Sequence, residues 1–326
     1  MKQFESFLAP QFEKYLDYRK SQGYQVKTPQ GHLRCFDRYL QNKKTTAETL
    51  PPSFFLEMRA NLTVEARSVN RIIASVRVFF KYLVRQGYYR VNPLQDIPYL
   101  QENAIIPFVF SPHEIDQLLM ALWASIRTEK QYSFMKDFSG YLIILLLARC
   151  GLRISEPLRM EVQHYRYCEK SIYVEKTKFK KDRLIPVPQP VAIEIENYLS
   201  VRNTLLRFDD QSPFLFVNDN GRPLNDNRIR TVFNLAVRDI GLARSRQILG
   251  GTNFSAPTPH SLRHSFAVNT LKRIKEQGGN PQNALPVLAD YMGHAMYRHT
   301  IKYLKVLDAD QHRNLSNFAA SHAVKQ

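Results

Sequence analysis

An uninterrupted apolar run from Tyr141 to Ala148, with the sequence YLIILLLA, limits what this chain can fold into more than any other feature. A membrane-spanning helix needs about 20 such residues, so the run is much too short to cross a bilayer. Because it is apolar on every side, it has to be surrounded by protein. We therefore predict a helix in the core of a globular domain, ending near Gly151, since glycine suits a helix end.

Apolar residues recur at helical spacing through the first 100 residues. We predict helices over residues 2–20, 29–42, 52–61 and 64–86, which together form a helical domain of residues 1–100. The last helix has an apolar stripe composed of Ile72, Ile73, Val76, Phe79, Phe80 and Leu83. Its other faces carry basic side chains that could either meet DNA or lie in solvent. The candidate DNA-binding residues are Arg71, Arg77 and Lys81.

A proline-containing segment without clear periodicity follows, and residues 101–110 are the predicted linker. Ser111, Pro112 and Glu114 then have the spacing of a helix capping box, with the serine as N-cap. We predict that a second domain begins here and extends over residues 111–326, including a tail over 304–326.

The segment 170–188 changes to a β-favouring pattern with a very basic centre. We predict two antiparallel strands with Lys178 near the tip of the hairpin. A charged edge strand is the alternative explanation for most of its lysines. These lysines are Lys176, Lys178, Lys180 and Lys181. The remaining pattern predicts helices over 191–207 and 225–240, a strand over 212–217, and a helix that starts at Ser155 just before Pro157.

The fold class is therefore mainly α, with a small antiparallel β-sheet in the second domain. The chain carries 46 Lys and Arg against 29 Asp and Glu, a formal net charge of +17, which makes a polyanion the first candidate partner. Residues 1–100 hold 16 basic and 8 acidic side chains, so the excess is shared by both domains. This distribution is typical of a protein that grips nucleic acid from two sides, although a basic solvated surface is the alternative.

Three cysteines, Cys35, Cys150 and Cys168, lack C-x-x-C spacing, so we expect neither a disulfide framework nor a zinc site. A reducing intracellular setting is the natural inference. The amino terminus has no long apolar core, and no signal peptide is expected. We therefore expect a cytoplasmic protein without a membrane segment.

Residues suited to phosphate chemistry recur through the second domain. GLRISEP contains Arg153 and Glu156, and HSLRH contains His260 and Arg263. A third segment holds MGH, and nine residues after its histidine comes a tyrosine. These two residues are His294 and Tyr303.

In this order, the motifs resemble those of the tyrosine recombinases, a family that includes phage integrases, Xer-type resolvases and transposon-encoded recombinases. The similarity covers nearly the whole chain. It implies a helical SAM-like core-binding domain and a mixed catalytic domain that form a C-shaped clamp around duplex DNA. It also implies an active site with Glu156 as a supporting acid. The active-site residues carried over are Arg153, Lys178, His260, Arg263, His294 and Tyr303.

The chemistry of phosphodiester cleavage explains why each of these residue types is needed. Two guanidiniums can hold the non-bridging oxygens of a phosphodiester attacked by Tyr303. A tyrosine has a pKa near 10 and needs a proton acceptor, for which His260 is the candidate, while His294 is expected to donate to the phosphate. Lys178 would protonate the departing 5′ hydroxyl, with Lys180 or Lys181 as alternatives. The resulting 3′ phosphotyrosyl bond stores the energy for rejoining, so no ATP, metal or other cofactor is expected.

Several alternatives remain open from the sequence. A topoisomerase or a telomere-resolving enzyme would use the same chemistry, and a DNA-binding regulator would keep an idle site. His264 is interpreted as structural. The segment before His294 is longer than in compact Xer-like members and favours a transposon-encoded relative in a bacterial host. The tail could pack on its own domain or dock on a neighbour in a tetramer on DNA, and accessory recombination proteins are possible partners.

Overall fold

The computed structural model describes residues 4–44, 50–128, 131–175, 182–205, 212–294, 300–301 and 303–304. The chain divides into two compact units, Met1–Ala104 and Ile105–Gln326. In the described parts of both units the fold is mainly helical with small sheets, which confirms the predicted fold class. No helix within these ranges is long and apolar enough to cross a membrane.

The amino-terminal unit consists of helices α1 (Ala9–Ser21), α2 (Lys27–Asn42), α3 (Pro52–Asn61) and α4 (Ala66–Arg85). Helix α4 packs against α1 and α2, and every residue of its predicted apolar stripe is buried. The centre of this core is aromatic, and its phenylalanine rings meet in tilted and edge-to-face contacts. The rings involved are Phe12, Phe36, Phe55, Phe79 and Phe80.

Helix α1 begins at Ala9, later than the predicted start at residue 2. Pro10 lies in its first turn, where a missing backbone N–H costs nothing. The chain before it is held by the buried carboxylate of Asp37, which accepts hydrogen bonds from the backbone N–H groups of Glu5 (3.1 Å) and Ser6 (2.9 Å). The proline therefore fixes the start of the helix, and the aspartate fixes the segment in front of it.

The carboxy-terminal unit is built around α6 (Gln131–Arg149), whose residues 142–148 are all buried, as predicted from the apolar run. Around it lie the helices α5 (Pro112–Ala124), α7 (Gln189–Leu205), α8 (Asp226–Asp239), α9 (Pro259–Glu276) and α10 (Pro281–Tyr291). The predicted capping box of α5 is present: the Ser111 hydroxyl accepts from the N–H of Glu114, and the Glu114 carboxylate accepts from the N–H of Ser111.

The predicted hairpin is confirmed as β3 (Ser171–Val174) and β4 (Arg183–Pro186), which pair antiparallel with Ile172 opposite Ile185 and Val174 opposite Arg183. A short strand β2 (Tyr165–Arg166) extends this sheet beside β3. Lys178 and the alternative lysines of the hairpin lie outside the described residues.

A second sheet was missed by the sequence analysis. It has the order β1 (Ala104–Ile106), β6 (Thr252–Phe254), β5 (Gln247–Leu249), so the segment predicted as a linker supplies one of its strands. Each strand has three residues, and those of β1 and β5 are all exposed. Strands this short and exposed carry no alternating pattern that a sequence could show.

Two local predictions were wrong. The helix expected from Ser155 is a single 3-10 turn over Pro157–Arg159, because the Glu156 carboxylate folds back onto the N–H of Arg153. The strand expected over 212–217 has only two isolated bridges, which join Phe214 to Glu161 and Val217 to Pro223.

Candidate active site

A buried carboxylate organises the first part of the site. Glu156 accepts hydrogen bonds from the backbone N–H (2.9 Å) and Nη1 (2.8 Å) of Arg153 and from Nη1 (3.2 Å) and Nη2 (2.9 Å) of Arg183. Burial by itself raises the pKa of the carboxyl, but the hydrogen bonds and charges of Arg183 and Arg153 outweigh it, so the pKa of Glu156 falls below its usual value. Glu156 is therefore ionised and fixes two guanidiniums side by side.

Backbone carbonyl oxygens accept further hydrogen bonds from the arginine side chains of the site and so fix their orientation. Nη2 of Arg153 donates to the carbonyl oxygen of Gly293 at 2.6 Å, and Nε of Arg183 donates to that of Tyr291 at 2.8 Å. Arg263, on α9, donates from Nη1 to the carbonyl oxygen of Gly151 at 2.6 Å and from Nη2 to that of Met292. The turn after α6 and the turn after α10 are thereby joined through these arginines.

Three guanidiniums and one carboxylate give this cluster an excess of positive charge. Arg263 is only 1% exposed, and its burial, together with the charge of Arg153, lowers its pKa to about 9. The guanidinium of Arg153 keeps more contact with solvent. An anion bound here would relieve the repulsion among the arginines, and guanidiniums are well suited to hold a phosphate.

Gly293 allows the turn after α10 to approach the arginine cluster. Its φ of +60° lies in the left-handed region, and an added Cβ would lie 3.0 Å from Nη1 of Arg183. His294 follows directly, and its Nδ1 lies 2.8 Å from the Thr300 hydroxyl oxygen. The glycine thus lets the backbone present both the carbonyl that holds Arg153 and the histidine beside it.

We predict that Gly293→Ala weakens both folding and catalysis, because the methyl group would press on Arg183. Gly278→Ala is the matched control, since its φ is +81° but nothing lies within 4 Å of an added Cβ. In both variants the free energy of unfolding should fall by about 1–2 kcal/mol, because alanine is strained in the left-handed backbone conformation. An extra loss of free energy of unfolding in Gly293→Ala alone, measured with urea, would report the contact. Equal losses of free energy of unfolding in the two variants would show that the turn accommodates the methyl group without straining Arg183.

Tyr303 lies beside this cluster and is nearly buried, at 3% exposure. It belongs to a buried cluster of apolar residues from α9, α10 and the turn after α10. These include Ala267, Leu271, Leu288 and Met292. Burial raises the pKa of its phenol, and the charges of Arg263 and Arg153 offset only part of that rise. The phenol therefore holds its proton at neutral pH, and a nucleophilic role would require a proton acceptor.

The hydroxyl of Tyr303 lies 3.1 Å from Nδ1 of His264, a residue that the sequence interpretation treated as structural. His260 lies one turn earlier on α9, with its ring centroid 4.5 Å from that of His264. Burial, followed by the charges of Arg263, Arg153 and Arg230, lowers the pKa of His260 to about 4. The structure thus pairs the tyrosine with the second histidine of HSLRH.

Sequence reasoning missed two residues of this site. His264 carried a signal, because it is four residues after His260 and shares its helix face. Arg183 also carried one, as the arginine that opens the second strand of the basic hairpin, but only the fold shows that it meets Glu156. In the described residues, no cluster of three or more His, Cys, Asp or Glu could hold a metal ion.

The three candidate DNA-binding residues of α4 differ in their surroundings. Arg71 and Lys81 are exposed. The guanidinium of Arg77 instead donates to the carbonyl oxygens of Leu94 (2.8 Å) and Ile97 (2.5 Å) and to the Tyr99 hydroxyl (2.7 Å). Arg77 therefore anchors the segment after α4 and is not directed towards a partner.

Comparison with known proteins gives matches over most of the chain. Residues 109–310 match the model of the Phage integrase family. The putative integrase/recombinase y4rE of Sinorhizobium fredii is 29% identical over 308 residues, covering 93% of each chain. The tyrosine recombinase XerC of Alcanivorax borkumensis is 28% identical over 229 residues, covering 70% of this chain and 66% of its own.

Solved structures share the fold at lower identity. The Tn1549 transposon integrase in complex with a circular intermediate DNA superposes with a TM-score of 0.65 at 20% identity, over 95% of this chain and 100% of that one. A lambda integrase dimer bound to a core site gives a TM-score of 0.64 at 16% identity, over 91% and 76% of the two chains. These similarities extend through both units of the present chain.

Proposed function

The chain belongs to the Phage integrase family and is a tyrosine recombinase, and on this premise we propose that Tyr303 is its nucleophile, forming a 3′ phosphotyrosyl bond with duplex DNA. The observation that carries the proposal is the position of a buried tyrosine within the field of Arg153 and Arg263. Those two arginines are held by a carboxylate and by backbone carbonyls, so they are ordered before a phosphate arrives.

In the proposed reaction, Arg153 and Arg263 bind the non-bridging oxygens of the scissile phosphate. Because these donors are already oriented, they need not rearrange when negative charge develops in the transition state. This preorganisation is the main way in which such donors accelerate a reaction. The Tyr303 phenol gives its proton to a histidine of α9, its oxygen bonds to phosphorus, the bond to the 5′ oxygen breaks, and that oxygen takes a proton from a separate donor. Lys178 is proposed as the proton donor, and His294 as a hydrogen-bond donor to the phosphate.

Rejoining is the reverse reaction with a different 5′ hydroxyl as the nucleophile. The phosphotyrosyl bond replaces one phosphate ester by another, so the exchange needs no external energy source. Among related structures, a lambda integrase has been solved as a tetramer bound to a Holliday junction. We propose that this chain likewise acts as a homo-oligomer on DNA, with a tetramer joining two sites in the bacterial cytoplasm.

The test uses a nicked suicide duplex, in which the strand beyond the cleavage point diffuses away and traps the covalent product. A binding sequence is first selected from a randomised duplex pool with the full chain, and nicks are then placed one base apart across it. The proposal expects a denaturation-resistant adduct whose DNA-linked peptide contains Tyr303. Absence of any adduct across the nick series, with retained specific binding, would indicate a regulator with an idle site.

A second measurement separates strand exchange from strand relaxation. Plasmids with two selected sites should yield recombinant products, whereas plasmids with one site should keep their supercoils. Relaxation of one-site or site-free plasmids without recombinants would identify a topoisomerase instead. Closed hairpin ends on a linear substrate would identify a telomere-resolving enzyme.

For DNA binding by α4, we predict different effects of its basic residues. Arg71→Gln and Lys81→Gln should each weaken binding to a random-sequence 30-bp duplex and reduce the slope of log K against log salt by about 1. Arg77→Gln should leave the slope unchanged and instead lower the free energy of unfolding by about 2–3 kcal/mol, since it frees two carbonyls and a hydroxyl. The measurements are fluorescence anisotropy across a salt series and urea unfolding. A reduced slope for Arg77→Gln would contradict the structural role.

A further inference from the structure

The Tyr303 hydroxyl has a defined partner before any DNA is bound. Its oxygen lies 3.1 Å from Nδ1 of His264, and the two ring planes meet at 61°. The tyrosine ring belongs to a buried apolar cluster, and this packing fixes the position of its hydroxyl. The protonated phenol can donate this hydrogen bond to Nδ1 when His264 carries its ring proton on Nε2.

The neighbouring histidines are less suited to receive that proton. His260 has a pKa of about 4, which makes it a weak base at neutral pH. His294 faces Tyr303 at a ring-centroid distance of 6.1 Å, and its Nδ1 is engaged by the Thr300 hydroxyl at 2.8 Å. In the described structure His264 is therefore the histidine with a ring nitrogen at hydrogen-bonding distance from the nucleophilic oxygen.

We propose that His264 is a further catalytic residue of the strand-cleavage reaction, whose Nδ1 orients the Tyr303 hydroxyl and accepts its proton during attack. The inference rests on the proposed function of Tyr303. In the step, the phenol proton moves to Nδ1, the Tyr303 oxygen bonds to phosphorus, and the bond to the 5′ oxygen breaks. The 5′ oxygen takes a proton from the hairpin lysine, and rejoining reverses each transfer.

The surrounding charges explain why transfer accompanies DNA binding. His264 lies next to Arg263 in sequence, its ring contacts those of His260 and Tyr303, and the Tyr303 ring also faces that of His294. The Arg153 and Arg263 charges reach Tyr303 and disfavour another cation nearby. A bound phosphate supplies negative charge that offsets them, which favours transfer of the Tyr303 proton to His264 when the scissile group is in place.

The experiment compares His264→Asn with His260→Asn on the suicide duplex under single-turnover conditions. The Asn side-chain oxygen can replace Nδ1 as an acceptor but does not take up a proton near neutral pH. For His264→Asn we expect a cleavage rate about 10²–10⁴-fold lower at pH 7, with unchanged DNA affinity, because a general base is lost. His260→Asn should retain a rate at least tenfold above that of His264→Asn.

The pH profile guards against a folding defect. In His264→Asn the rate should rise about tenfold per pH unit between pH 7 and 9.5, as the tyrosinate form grows, whereas the wild-type rate should rise less steeply over this range. Cleavage by His264→Asn within threefold of the wild type at pH 7 would overturn the inference and leave the proposed function intact. A low rate without recovery at high pH would also overturn it, while a wild type without adduct would contradict the proposed function itself.

Discussion

Tyr303→Phe is expected to abolish the covalent adduct while leaving DNA binding intact. The substitution removes a single oxygen, but that oxygen is the atom proposed to bond to phosphorus. Loss of an enzyme nucleophile typically costs on the order of 10⁶ in rate. The fold should tolerate the change, because the ring remains packed and only the hydrogen bond to His264, worth about 0.5–1.5 kcal/mol, is lost.

The adduct assay on the suicide duplex measures this effect, and Tyr291→Phe provides the matched control. Tyr291 is the nearest described tyrosine to the site in sequence, and its ring stacks on Phe266 at 5.5 Å. Tyr291 holds Arg183 through its backbone carbonyl, which the substitution keeps. Tyr291→Phe should still form the adduct. If Tyr303→Phe formed it at the wild-type rate, the nucleophile would have to be sought elsewhere in the chain.

Glu156→Gln is expected to reduce both stability and cleavage strongly. The amide has nearly the shape of the carboxylate, but it carries no charge and replaces one acceptor oxygen with a donor. Arg183, whose side chain is 7% exposed, would lose its ionic partner inside the protein. Removing one member of a buried ion pair costs about 3–5 kcal/mol, because the remaining charge is left uncompensated.

The activity loss in Glu156→Gln follows from the freed Arg153, which would no longer be held towards the phosphate position. We expect cleavage to fall by about 10²–10³-fold, comparable to the loss of one ordered transition-state donor. Urea unfolding and single-turnover cleavage measure the two effects. Glu169→Gln is the control, since Glu169 pairs with Arg166 at an exposed position and should contribute at most about 1 kcal/mol. Similar losses in the two variants would refute the organising role of Glu156.

The sequence could predict the elements in which a hydrophobic pattern continues over many residues. The apolar stripe of α4 and the run inside α6 were placed correctly, because burial on one face or on all faces leaves a repeated pattern. The second sheet could not be predicted, since strands of three exposed residues leave no pattern. The start of α1 was displaced because one proline and one distant aspartate decide it.

For the candidate site, spacing identified the residue types but not their partners. Arg153, Arg263 and Glu156 meet around the turns after α6 and α10, and Tyr303 lies beside them. The partner of the tyrosine hydroxyl depends on the direction of one imidazole on α9. His260 and His264 occupy the same helix face, so no sequence pattern could choose between them. The contact between Arg183 and Glu156 likewise depends on how the hairpin packs.

On the proposed assignment of the active site, the anchoring of Arg153 and Arg263 also determines when a growing chain can first become able to cut DNA. During synthesis the ribosome releases Arg153 and Arg263 well before Met292 and Gly293, whose carbonyls hold both arginines in the finished protein. Tyr303 follows ten residues after Gly293. The proposed phosphate-binding arginines and the proposed nucleophile are therefore completed together, and a chain that ends before Met292 lacks the carbonyls and the tyrosine alike.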